Sequence, residues 1–178
     1  DISIKVIPQG FYNNSTLKLN MRDTVTAYLR NSFSPFMIID SAKGVIDSIT
    51  FEGTFVFSNA SSGSYYIEVT HRNSIETWSS TAVNLNRGTP MSYDFTNAVT
   101  KAYGSNMILK GSESCIYSGD VNQDGIIDAS DGSLVDNDAF NFNGGYIPTD
   151  VNNDGFVDAS DAAYVDNNAF NFIGIVRP

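Results

Sequence analysis

Two stretches of the sequence place oxygen-bearing side chains at alternate positions. They are Asp120-Val-Asn-Gln-Asp-Gly-Ile-Ile-Asp-Ala-Ser-Asp131 and, thirty residues on, Asp150-Val-Asn-Asn-Asp-Gly-Phe-Val-Asp-Ala-Ser-Asp161. Alternate residues of a turning loop aim inward together, and a hard cation such as calcium asks for six to eight oxygens at about 2.3–2.6 Å. In the first loop Asp120, Asn122 and Asp124 fill positions 1, 3 and 5, Ile126 offers its main-chain carbonyl at 7, Asp128 reaches in at 9 and Asp131 closes the shell at 12. In the second loop Asp150, Asn152, Asp154, Phe156, Asp158 and Asp161 repeat that arrangement. Gly125 and Gly155 stand where the loop reverses, a backbone that glycine adopts with least strain. Ile127 and Val157, at position 8, are expected to pair the two loops through a short strand-like contact. The pattern predicts two bound calcium ions. Without them, four carboxylates in each loop repel one another, so folding and cation binding should be coupled. Solvated Asp- and Asn-rich turns are the plainer reading; two copies in register argue against it.

The charge distribution supports a cation. Residues 1–110 hold eight Asp or Glu against nine Lys or Arg, whereas 111–178 hold twelve against the single Arg177. So acidic a block repels nucleic acid and anionic membranes. No apolar run approaches the roughly 18–20 residues that span a bilayer. Cys115 is alone, so no intrachain disulfide can form, and a small buried hydrophobe is its expected role. A first residue of Asp1 followed at once by an apolar-alternating segment fits a mature protein whose signal peptide has been removed, hence an extracellular or cell-surface setting.

Each loop must be held by the segment on its C-terminal side. Ser130 and Ser160 are candidate helix caps, and Val135, Ala139 and Phe142 fall on one helical stripe, as do Val165, Ala169 and Phe172. Two short helices should pack by these stripes about a pseudo-twofold axis. No helical pattern precedes either loop, since 111–119 and 143–149 are rich in Gly, Ser and turn residues. A loop leading into a helix, with Asp at position 12, resembles the type I dockerin repeat more than a full EF-hand, and the resemblance covers about sixty residues, 120–178. It implies the twelve calcium ligands named above and a cohesin-like scaffold as partner. Dockerins commonly carry Lys or Arg late in the helix, however, where this chain has Asp136-Asn137-Asp138 and Asp166-Asn167-Asn168, so the calcium ligands carry over residue by residue and the cohesin partner does not.

Before Gly111 the dominant period is two. Strands are expected at 2–7, 24–30, 37–40, 48–57, 64–72, 82–85, 92–95 and 107–110, broken by Gly, Asn and Ser clusters. Ile49, Phe51, Phe55 and Phe57 share one parity, and so do Tyr65, Ile67 and Val69, so two amphipathic strands can close a core between sheets. The run Phe55-Val56-Phe57, a turn, then Gly63-Ser64-Tyr65-Tyr66-Ile67-Glu68-Val69 resembles the Ig-like or transthyretin-like sandwiches of bacterial extracellular proteins. The expected organisation is therefore mainly β: a sandwich over 1–110, a linker over 111–119, and a small dockerin-like α-helical calcium module over 120–178.

No enzyme is expected. His71 is the only histidine, read as a surface or strand-end residue, and no nucleophile elbow or oxyanion motif accompanies it. Trp78, Tyr65, Tyr66, Tyr93 and Tyr103 could stack on a polysaccharide, although such residues ordinarily fill a sandwich core. The leading functional expectation is a non-catalytic extracellular calcium-binding structural subunit that binds another copy of itself head to tail. The strand 2–7 and the apolar tail 170–176 would be its edge-pairing elements. The alternative is a carbohydrate- or protein-binding module docked to a cohesin-like scaffold.

Overall fold

Parity decides the inward faces: Val25, Ala27 and Leu29 alternate with exposed or half-buried neighbours, and Tyr65, Ile67 and Val69 share the inward face of their strand, where the outward Glu68 is itself buried in an ion pair with Arg30; all six apolar residues are buried. The computed structural model describes residues 1–178. Its strands are β1 (Ile2–Lys5), β2 (Tyr12–Asn13), β3 (Lys18–Leu19), β4 (Asp23–Asn31), β5 (Ile38–Ile46), β6 (Glu52–Phe55), β7 (Gly63–His71), β8 (Ser74–Trp78), β9 (Val83–Leu85), β10 (Met91–Asp94), β11 (Ile108–Lys110) and β12 (Glu113–Cys115). Its helices are α1 (Ala129–Phe140) and α2 (Ala159–Phe170). One sheet runs β5-β4-β7-β8 with β9 also on β7; the other runs β10-β1-β6. Ile2 and Ile4 of β1, Phe55 of β6, Val25 and Leu29 of β4 and Ile67 of β7 meet in one core of 23 buried residues. The chain is thus mainly β, and its larger part is a β-sandwich.

Several expectations change. The strand expected over 48–57 survives only as β6, because the Asp47 carboxylate accepts from the backbone of Ile49 and Thr50 and turns the chain, leaving Ile49 60% exposed. Phe51 then takes a left-handed φ of 61°. β8 was not expected; it forms because Arg72 and Asn73 reverse the chain at the end of β7. The expected linker 111–119 is not one. It contains β12, which pairs with β11, and it buries Cys115 and Ile116 in the main core. There burial pushes the Cys115 thiol up to about 12. β1, expected as a free edge, is the central strand of its sheet, antiparallel to β6 and parallel to β10.

A second, smaller core joins the repeats. Val121, Ile127 and Val135 come from the first repeat, Val151, Val157 and Val165 from equivalent places in the second, and Ile75 comes from β8 of the sandwich. The two parts therefore share side chains as well as a chain. The helices pack by Val135 and Val165, as expected, but Phe142 and Phe172 leave the stripe. Each lies just past the end of its helix with φ near 54°, and they are 95% and 92% exposed. The helix caps are Asp128 and Asp158 rather than the serines. Each carboxylate accepts from the backbone N–H and hydroxyl of Ser130 or Ser160 at 2.7 Å, while Asp131 and Asp161 complete a capping box.

Candidate metal centre

Position 8 was expected to pair loop with loop; instead each loop pairs with the segment just past the other repeat's helix. Ile127 N donates to Ile173 O and Ile175 N to Gly125 O, both at 2.9 Å. Thirty residues apart, Val157 N donates to Asn143 O at 3.2 Å and Gly145 N to Gly155 O at 2.9 Å. The tail expected to reach a neighbouring molecule is consumed here. Gly125 and Gly155, with φ of 92° and 95°, turn the loop so that these bonds form on its outer side.

Inside the turn, the polar residues converge as the alternation requires. In the first loop, Asn122 Oδ1 accepts from Asp124 N, Asp124 Oδ1 from Ile126 N, and Asp131 Oδ1 from Val121 N and Asn122 N. In the second, Asn152, Asp154 and Asp161 repeat each of these bonds. Ile126 and Phe156 point their side chains outward, 55% and 70% exposed, which leaves their main chain to the loop interior. Asp128 and Asp158 are turned to helix capping. The carboxylates do not form a tight all-acidic cluster, since no three His, Cys, Asp or Glu side chains gather at metal-ligand spacing. The donor set is mixed: carboxylates, the Asn122 and Asn152 amides and main-chain carbonyls, the oxygen chemistry that calcium accepts.

The residue that fits a cation best is Asp120. It is 2% exposed, and its Oδ1 has no hydrogen-bond partner. Burial, reinforced by the charges of Asp131 and Asp124, pushes its carboxyl up to about 7. Burial also raises Asp131, Asp150 and Asp161, whereas the Ser130 and Ser160 hydroxyls hold Asp128 and Asp158 low. A buried, partnerless carboxylate oxygen is costly unless a cation meets it. The residues at positions 1, 3, 5, 7 and 12 fit such an ion.

Loop 2 has, in addition, contacts that sequence reasoning missed. Asn20 Nδ2 donates to Asn152 O at 2.8 Å. Arg72 Nη2 donates to Asn153 Oδ1 at 2.9 Å, and Asn73 Nδ2 to Pro148 O and Asp150 O at 3.1 and 3.2 Å. Asp23 anchors Arg72 through Nε at 3.0 Å and also accepts from Tyr146 Oη. Burial alone would raise the Asp23 carboxyl, but bonds from His71, Tyr146 and Arg72 hold it far below the usual range. His71 is buried, not at the surface. Burial lowers its pKa, so the neutral ring bridges Asp23 at 3.2 Å and Ser74 Oγ at 3.1 Å. These three residue types suggest a hydrolytic triad, yet Ser74 is fully buried and its hydroxyl also faces Ser118 Oγ at 3.3 Å, so no substrate reaches it. The group is a polar seam between sandwich and repeats. Asn168 of α2 extends it, donating to Gln9 Oε1 and Ser118 O at 2.7 Å. Of these, only Asn168, in the run Asp166-Asn167-Asn168, stands out in the sequence.

Two solved structures share this fold. They are chains of type II cohesin–X-dockerin complexes from Acetivibrio cellulolyticus, one with a C-terminal and one with an N-terminal interface mutant. TM-scores are 0.52 and 0.53, with 16% and 17% identity, over 96% of this chain and 98% of each matched chain. At that identity the likeness is one of fold. No protein-family profile matches the chain, and no curated protein matches it in sequence.

The remaining aromatic candidates do not make a platform. Trp78 and Tyr65 are 2% and 7% exposed, Tyr66 packs edge-on to Trp78 and Tyr103, and Tyr93 packs on Phe95. The most exposed aromatic residues lie elsewhere: Phe140 and Phe142 at the end of α1, Phe170 and Phe172 at the end of α2, each at least 82% exposed. No helix is long and apolar enough to cross a membrane.

Proposed function

We propose that the chain is a non-catalytic, calcium-clamped docking module of an extracellular protein assembly, with a dockerin-like pair of repeats that presents its helix ends to a protein partner. The observation that carries this reading is the outward display of Phe140, Phe142, Phe170 and Phe172 at equivalent places of the two repeats. Each helix begins beside the end of the other, so the phenylalanines form two separate exposed pairs at opposite ends of the helix pair, and each pair is an apolar contact offered to a partner. Calcium supplies the positive charge that the loop carboxylates lack, and this chain's residues hold the loops and helices in register around it. The fold likeness runs across both the sandwich and the repeats, which supports a shared arrangement with chains of the cohesin–X-dockerin complexes. A cohesin-like module is accordingly the proposed partner class. Head-to-tail pairing through 2–7 and 170–176 loses its basis, since β1 is central in its sheet and 173–175 is bonded to the first loop.

Titration calorimetry against a panel of cohesin modules, with calcium and with a chelator, tests the reading. One-to-one binding should require calcium and vanish in the variant Phe140→Ser/Phe142→Ser/Phe170→Ser/Phe172→Ser while its melting temperature is unchanged. Calcium-dependent polymers without cohesin binding, seen by sedimentation, would instead restore self-assembly.

A further inference from the structure

The two loops share one ligand pattern but not one environment. The first takes little from the sandwich: it closes on 173–175, Gln123 Nε2 donates back to Asp120 O, its contact to Ser74 O is a long 3.4 Å, and Asn122 and Asp124 are exposed. The second is built into the sandwich. Asp150, Asn152 and Asn153 are buried, and three side chains from the other part of the molecule reach its backbone and Asn153. Asp150 has both oxygens paired, with Asp154 N at 3.1 Å and Gly155 N at 3.0 Å, whereas Asp120, equally buried, leaves its Oδ1 without a partner. Gly10 lies so close that a Cβ there would stand 2.1 Å from Val151 O. A loop already fixed in its bound shape spends less ordering free energy when the ion arrives. Arg72 brings a positive charge near this loop, but its Nε is paired with the ionised Asp23, so the pair adds little repulsion toward a cation.

Resting on the calcium reading above, we propose that the sandwich makes the second loop the tighter of two unequal calcium sites, with Asn20, Arg72 and Asn73 as positioning residues. Asn20 Nδ2 fixes the Asn152 carbonyl, Asn73 Nδ2 the Asp150 carbonyl, and the Arg72 fork fixes Asn153 at position 4. None of them touches the ion. Their effect is to hold positions 1 and 3 at the spacing the ion requires before it binds.

Calcium titration of the full chain by calorimetry, in wild type, Asp120→Ala, Asp150→Ala, Asn20→Ala and Arg72→Gln, decides the matter. Two steps separated by at least about tenfold are expected. Asp150→Ala should abolish the tighter step and Asp120→Ala the weaker. Asn20→Ala and Arg72→Gln should weaken the tighter step alone, by about three- to tenfold. Asn20 is exposed, so its variant reports even if Arg72→Gln fails to fold. Two equal steps, a tighter step lost in Asp120→Ala, or an Asn20→Ala titration identical to wild type would overturn the proposal while leaving calcium binding intact. No heat of calcium uptake by the wild-type chain would overturn the loop reading itself.

Discussion

The first and second Asp- and Asn-rich loops differ at few positions in sequence and widely in surroundings. Loop 1 faces solvent and closes on a tail; loop 2 is wedged against the sandwich and closes on a segment that precedes it. The pair teaches that a ligand pattern specifies what can bind, while contacts from distant residues specify how well the loop is prepared for it.

The largest test of that difference is removal of the ions. If each site is about a hundredfold above half-saturation, chelation costs about 2.7 kcal/mol per site. A chain of this size should then melt about 10–20 °C lower in a chelator than in calcium by scanning calorimetry. Wild-type melting that ignores the chelator would end the comparison, since neither loop would be a site.

Next comes Gly10→Ala. Its Cβ would displace the backbone of Val151, so loop 2 must leave the sandwich; we expect about 2–3 kcal/mol of lost stability in chemical denaturation. Gly155→Ala, where nothing lies within 4 Å and only the positive φ objects, should cost about 1 kcal/mol.

A smaller effect changes sign with calcium. In chelator the folded chain keeps a proton on Asp120, whose carboxyl stands at about 7, when the unfolded chain has already lost it. Folded protein then binds more protons than unfolded, so this residue's contribution falls as pH rises from about 4 to about 7. The buried neutral His71 slopes the opposite way below about pH 6.5, because only the unfolded chain protonates it there. Comparing Asp120→Asn with wild type cancels that contribution. At pH 8 in chelator the variant should be more stable by about 1–2 kcal/mol, with the gap closing toward pH 4; in calcium it should be less stable. Melting curves across pH check both signs.

The smallest effect should be equal in the two loops. Asp128→Ala and Asp158→Ala each remove a helix cap of identical geometry, and each should cost about 1 kcal/mol in urea denaturation. A clear inequality would mean that the sandwich reaches α2 more strongly than its contacts through Asn168 indicate.

The oxygens of both loops, the helices behind them and the long alternating strands β4 and β7 are legible in the sequence because each is a local periodicity. Ile49 is not, because parity is blind to the Asp47 side chain that turns the chain before the strand begins. Phe142 and Phe172 escape it because a helical stripe ends where φ changes sign, one residue after each C-cap. The segment 111–119 looks like a linker because Gly and Ser dominate it, yet Cys115 and Ile116 commit it to the core. Asn20, Arg72 and Asn73 are invisible: nothing local tells an amide on one module that its acceptor lies more than seventy residues away.

The exchange of strands between the repeats also sets an order of assembly. During synthesis from the N-terminus, 143–145 exists before loop 2 does, so loop 2 can close as soon as its own residues emerge. Loop 1 is made first but must wait for 173–175. The earlier loop is therefore the later to finish, and the sandwich already stands behind the loop that closes first.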